Sequence, residues 1–286
     1  MIKRILVALD PSAQTEVATL FSIDLAKEND AQLTGLAIVN TDQISSEVGT
    51  GGIGTIYYAE KLRTYLGKKS REKASELVER FKKEVDQSEL KHSEKVEEGV
   101  PFERIIEDMK YYDLLVMGRE PHFYYNKPDE KTKTLSAVVK RGIAPVLVVN
   151  NEHHGVNRVL LANDGSAPCA RTMQAFAHLH PFGHNLEIEV VNVYNDAGDS
   201  SDEEQLSRLK NHLAANFLRA HGYETVNEAS IAGTKVGETL CRYADEKNVD
   251  MLVAGAHAVS AIQRLTFGST TSHLIENSPS LVFVQH

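Results

Sequence analysis

Two cysteines in 286 residues are too few for a disulfide framework, and Cys169 and Cys241 stand far apart without metal-type spacing. They read as reduced thiols of a reducing compartment. Positive charge is also short, with 31 Lys and Arg against 40 Asp and Glu and a net charge of −9. Such a chain lacks the clustered cations that hold a phosphate backbone, which excludes a general nucleic-acid binder. Long apolar runs are missing as well. Ile5 to Leu9 and Leu114 to Met117 are strand-sized, far short of the ~20 residues that cross a bilayer, so no membrane partner is expected. Met1-Ile2-Lys3-Arg4 leads directly into a strand-like run, without the apolar stretch and cleavage site of a secretory signal. The expected location is the cytoplasm. There is no Walker motif, no G-x-S-x-G elbow and no HxGH, and no catalytic constellation emerges.

What is present is a repeat. Hydrophobic residues make up 42% and charged residues 25%, ordinary for a folded chain whose length suits two domains. Ile5-Leu6-Val7-Ala8-Leu9-Asp10 corresponds to Val159-Leu160-Leu161-Ala162-Asn163-Asp164, each an apolar run closed by an aspartate. Asp113-Leu114-Leu115-Val116-Met117-Gly118 corresponds to Asp250-Met251-Leu252-Val253-Ala254-Gly255, each closed by a glycine. The first half carries extra residues between these landmarks, assigned mostly to Asp42 through Tyr58. We expect domains over 1–150 and 157–286, joined by a polar linker at 151–156.

Strands are expected near 3–9, 32–39, 92–98, 113–117 and 145–149, and again near 157–163, 186–194, 224–232, 250–254 and 281–284. Apolar strands alternating with helical patterns indicate a parallel sheet covered on both faces. Each half is therefore expected to be an α/β domain with a doubly wound five-stranded parallel sheet, in strand order 3-2-1-4-5. Ligands of such sheets bind beyond the carboxyl ends of the strands, where the winding reverses. That places Asp164 and Gly255 on one crevice.

After Gly255 the chain runs through His257 and Ala258 to Gly268-Ser269-Thr270-Thr271, immediately before a helical pattern. Glycine lets backbone N–H groups approach a phosphate, and a helix start adds unpaired donors and a positive dipole end. The same residues also suit an ordinary N-cap with a turn glycine.

On these motifs both halves resemble the universal stress protein family, whose ATP-binding members carry G-x2-G-x9-G-[S/T] after the fourth strand. The second half fits at Gly255, Gly268 and Ser269 and departs at Ala258, which holds the middle glycine's place. The resemblance implies an adenine nucleotide alpha hydrolase-like fold and ATP or a related adenine nucleotide as ligand, with Mg2+ accompanying it. It places Asp164 near the ribose or adenine and the Val193 backbone at the base. It sets Gly255 and His257 along the phosphates, Ala258 between them and the cradle, and Gly268, Ser269 and Thr270 in the anion cradle itself. Asp164 has a rival role as a turn and capping residue. The resemblance also implies an intramolecular pseudo-dimer through the closing strands 145–149 and 281–284, with room for a further homodimer. Function would be that of a stress-response regulator rather than a metabolic enzyme. A slow ATPase and a structural module without nucleotide stay open.

The first half keeps Asp10 and Gly118 but has no Gly-Ser pair where the cradle should stand, so its nucleotide loop is degenerate. Phe123, Tyr124 and Tyr125 form either a partly buried loop or the lining of a different pocket. Gly49-Thr50-Gly51-Gly52-Ile53-Gly54 satisfies G-x-G-x-x-G in the wrong place, after the second strand, and is read as a loop. His178, His180 and His184, like His153 and His154, lack the further ligands of a zinc site.

Overall fold

Strands that are apolar on both faces need helices above and below, and the chain supplies them by alternating strand and helix through each half. A computed structural model describes residues 1–48, 56–125, 133–195, 200–256 and 269–286. The first half contains β1 (Arg4–Leu9), α1 (Gln14–Asn29), β2 (Gln32–Asn40), α2 (Thr41–Val48), α3 (Ile56–Asp86), β3 (His92–Gly99), α4 (Pro101–Met109), β4 (Leu114–Gly118), α5 (Thr134–Arg141) and β5 (Val146–Val149). The second contains β6 (Arg158–Ala162), α6 (Ala167–Leu179), β7 (Glu187–Tyr194), α7 (Ser200–Ala220), β8 (Thr225–Ala232), α8 (Val236–Glu246), β9 (Met251–Gly255), α9 (Ser269–Asn277) and β10 (Leu281–Gln285).

The strand order is β3-β2-β1-β4-β5-β10-β9-β6-β7-β8. Each half thus has the expected order, and pairing is parallel within it. The two sheets are nevertheless one. Strand β10 runs antiparallel to β5, with Val282 opposite Val148 and Phe283 opposite Leu147. All of Val146 to Val149 and Leu281 to Val284 are buried. An open apolar edge at either strand would be a template for aggregation, and each strand covers the other.

Two apolar layers sandwich this sheet. Phe21, Phe81, Phe176 and Leu218, from α1, α3, α6 and α7, pack on one face. Ile105, Val138, Leu240 and Leu274, from α4, α5, α8 and α9, pack on the other. The outermost strands depart from the apolar expectation, since β3 reads His-Ser-Glu-Lys-Val-Glu-Glu-Gly and is half-buried at best. Charged residues on an exposed edge oppose pairing with another chain.

The extra residues of the first half lie between β2 and β3. Helix α2 has no counterpart among the described residues of the second half, and α3 has 31 residues where α7 has 21. The glycine-rich Gly49 to Gly54 lies outside the described residues. Pro101 opens α4 at its first turn, where the missing N–H costs nothing. No described helix is long and apolar enough to cross a membrane.

Candidate functional site

The winding of the second half reverses between β6 and β9, which pair directly, Ala162 beside Ala254. Beyond their carboxyl ends lies a cavity of about 160 Å³. Its walls come from the ends of β6, β7 and β9 and from the first turns of α6, α8 and α9. Three helix starts therefore converge on one space, and their unpaired N–H groups favour an anion there. Polar groups on the wall include Asp164, Ser166, Asn192, Thr270 and Thr271, against an apolar floor that includes Val193, Val236 and Leu274.

Local chemistry fixes this rim. Oδ1 of Asp164 accepts from the Ser166 N–H at 2.8 Å, closing an Asx turn. Ser166 is the N-cap of α6 and accepts from the Cys169 N–H. Gly165 between them has φ of 76°, a conformation that favours glycine. The Thr271 hydroxyl donates to the Gly255 carbonyl at 2.9 Å, tying α9 to the end of β9.

Beneath the rim runs a buried amide network. Asn192 donates to the Asn163 carbonyl, Asn163 donates to Oδ1 of Asn211 at 3.3 Å, and Asn211 donates to the Ala229 carbonyl at 2.7 Å. All three asparagines are buried. Satisfied networks of this kind hold a wall in one geometry. Cys169 is buried beside them, and burial pushes its thiol up to about 11 in spite of its place in a helix first turn. It is a neutral wall residue rather than a nucleophile.

The corresponding crevice of the first half is filled by its own chain. Asp10 is 1% exposed. Its carboxylate accepts from the hydroxyls of Ser12 at 2.8 Å and Thr15 at 2.6 Å, and from the His122 N–H at 2.7 Å. The segment after β4 therefore folds back over the strand-one aspartate. Phe123 and Tyr124 are fully buried, and the Tyr125 hydroxyl donates to the Ile38 carbonyl at 2.9 Å. Ile38 is the register equivalent of Val193, two residues past the strand positions facing Ala8 and Ala162. The alternative that these aromatics line a pocket is corrected. They occupy the space that corresponds to the cavity lined by the described residues of the second half.

The sequence profile described as the Universal stress protein family matches residues 1–150 and again residues 155–286. The chain belongs to this family. It is a tandem universal stress protein, with two copies of the family fold in one chain. A universal stress protein of Synechocystis sp. is 25% identical over 181 residues, covering 62% of this chain and 60% of that protein. The chain thus spans less than two thirds of that relative. A universal stress protein from Archaeoglobus fulgidus superposes with a TM-score of 0.66 at 20% identity, over 99% of this chain and 95% of that one. A functionally unknown protein from Pseudomonas aeruginosa does so with a TM-score of 0.61 at 14% identity, over 99% and 92%. At these identities the two structures share the fold.

In this universal stress protein the cavity brings together four of the residues singled out by sequence, Asp164, Val193, Gly255 and Thr270. Ser269 precedes Thr270 at the start of α9 and is exposed. His257, Ala258 and Gly268 lie outside the described residues. Sequence reasoning missed Asn163 and Asn192. Their signal was available, since each interrupts an apolar strand with an amide, as in Val190-Val191-Asn192-Val193. Among the described residues no cluster of three or more His, Cys, Asp or Glu could hold a metal ion, and that includes the histidines near α6.

Proposed function

We propose that this universal stress protein binds ATP or a related adenine nucleotide in its second half and acts as a cytoplasmic, nucleotide-dependent regulator. The observation that carries this reading is the asymmetry of the two crevices. In one, Tyr125 and His122 bond across the strand ends, and in the other the described residues line a cavity under three helix starts and two threonines.

Asp164 is read at the ribose or adenine, the Val193 backbone at the base, and Gly255 with His257 along the phosphates. Ala258 follows them, and Gly268, Ser269 and Thr270 form the cradle. The cavity suits this assignment, with apolar walls at Val193 and Val236 for a ring and hydroxyls of α9 for an anion. Mg2+ enters with the nucleotide, held by its phosphates. The domains are read as 1–150 and 157–286 around a linker at 151–156, acting as an intramolecular pair through β5 and β10. Binding favours one arrangement of the second half, which a partner then reads.

Calorimetric titration with ATP tests this directly on the wild type, Gly268→Val, Ser269→Ala and Ala258→Gly. A bulky residue at position 268 blocks close approach of several backbone donors and should abolish binding. Ser269→Ala removes one hydroxyl and should cost about 1–3 kcal/mol. Ala258→Gly tightens binding if the methyl group crowds the phosphates. Gly268→Val binding as well as the wild type would sink the assignment. Single-turnover hydrolysis with and without Mg2+ separates the regulator from a slow ATPase.

A further inference from the structure

The first half holds a second cavity, on the face of the sheet that α1 and α3 cover. It measures about 540 Å³ and lies between the start of α1 and the last turns of α3. The repeat gives its origin. In the second half Asn163 donates through Nδ2 to the Lys210 carbonyl at 3.0 Å, and the Lys210 stem would lie 3.2 Å from a Cβ on Gly165. Helix α7 is thereby held down on the turn that ends β6. Leu9 stands at the place of Asn163 and has no amide to donate. Helix α3 lacks this tie, and the cavity lies between it and the turn after β1.

The floor is apolar, formed by the buried Leu77 and Phe81. The walls carry charge of both signs, with Glu16 from the first turn of α1 and Arg80, Lys83 and Glu84 from α3. Among the described residues none of these four is in an ion pair or a side-chain hydrogen bond. Arg80 and Glu84 have the i, i+4 spacing of a helix ion pair, yet form none. Burial pushes the Glu84 carboxyl up, and the charge of Glu16 adds to the shift. Glu16 and Glu84 thus make one negative pole of the cavity, and Arg80 and Lys83 supply a positive one. A space of this size with an apolar floor and a few convergent charges has the form of a small-molecule site.

We propose that this cavity binds a free α-amino acid with an uncharged side chain, its ammonium between Glu16 and Glu84, its carboxylate at Arg80 and Lys83, and its side chain over Leu77 and Phe81. An α-amino acid carries both charges on one carbon. Arg80 and Glu84 leave α3 about 6 Å apart along its axis, a separation that such a molecule and its hydrogen bonds can span. A simple amine would leave Arg80 and Lys83 unpaired, and a simple carboxylate would leave Glu16 and Glu84 so. The site is separate from the nucleotide crevice and does not depend on the ATP reading.

Calorimetric titration of the full chain with glycine, L-alanine, L-leucine and L-glutamine tests the proposal, with butylamine and butyrate as probes of one charge alone. At least one of the amino acids should bind saturably below about 10 mM, and the single-charge probes should bind at least about tenfold more weakly. Glu84→Gln keeps the size of the side chain and removes its charge, and should weaken amino-acid binding by about tenfold or more with an unchanged circular dichroism spectrum. Arg80→Ala should do the same from the other pole. Absence of binding by all four amino acids overturns the proposal. So does butylamine or butyrate binding as tightly as the best amino acid, and so does full affinity in Glu84→Gln or Arg80→Ala.

Discussion

Glycines show how far single residues were legible. Gly255 was read at sequence level as a phosphate contact. The structure gives it a second reason, because a Cβ there would lie 2.5 Å from the Cys169 nitrogen and 2.6 Å from the Pro168 carbonyl carbon. Both are backbone atoms of the first turn of α6, so the helix start itself would have to move. Gly118 is its counterpart, but there the near atoms belong to the Gln14 side chain, with Oε1 at 2.7 Å. Gly255→Ala should therefore destabilise the protein by about 1–3 kcal/mol, and Gly118→Ala by less. Urea denaturation checks the order, and equal losses would mean that the backbone clash is not what excludes a side chain at position 255. Neither contact could be read from the sequence, because each joins residues remote in the chain. What the sequence did show was the strand-ending glycine at the same place twice.

At the scale of elements, the strands were the most legible part. Expected spans such as 32–39 and 281–284 differ from the observed β2 and β10 by a residue at one end. Apolar periodicity and the repeat point to the same positions, and each supports the other. The outer strand β3 was expected near 92–98 as an apolar strand, and it forms there although its own residues are mostly polar. Helix faces were less legible, because periodicity alone would assign Leu206, Leu209 and Leu213 to a core, and all three are exposed. Packing between elements was not legible at all. A Cβ on Gly35 of β2 would lie 2.6 Å from the Phe81 ring of α3. In the second half β7 has Val190 at the matching register and α7 turns Ala214 and Ala215 inward. Volume has moved from strand to helix between the copies. Gly35→Val alone should cost about 1–3 kcal/mol by overpacking, and Phe81→Ala alone about 3–5 kcal/mol through the cavity it leaves. The double variant should lose clearly less than the two losses combined, since the valine fills part of the space. Additive losses in denaturant titrations would show that the two positions do not share it.

At the scale of the whole molecule, the halves are joined by more than their last strands. Asn29 donates to the Pro181 carbonyl at 3.3 Å and Gln285 to the Ile143 carbonyl at 3.0 Å, each crossing from one half to the other. The most consequential crossing is Arg119. It follows Gly118 at the end of β4, and its guanidinium donates to the carbonyls of Glu276 and Ser278 at the carboxyl end of α9. A cation there meets the negative end of the helix dipole and satisfies carbonyls that the helix leaves unpaired. Helix α9 is only nine residues long and begins at Ser269, where the phosphate contact is proposed. The first half thus holds one end of a short helix whose other end forms the proposed cradle of the second. Arg119→Ala should cost about 1–3 kcal/mol of stability, because it removes charge-assisted bonds from a half-buried site. It should also weaken ATP binding several-fold, although Arg119 does not line the crevice. Arg119→Lys keeps the charge but not the fork of donors, so it should recover only part of both losses. Denaturation and calorimetric titration of the two variants decide the matter. A loss of stability with full nucleotide affinity would mean that Arg119 braces the fold without reaching the site, whereas wild-type behaviour in both would show that α9 needs no support from the first half.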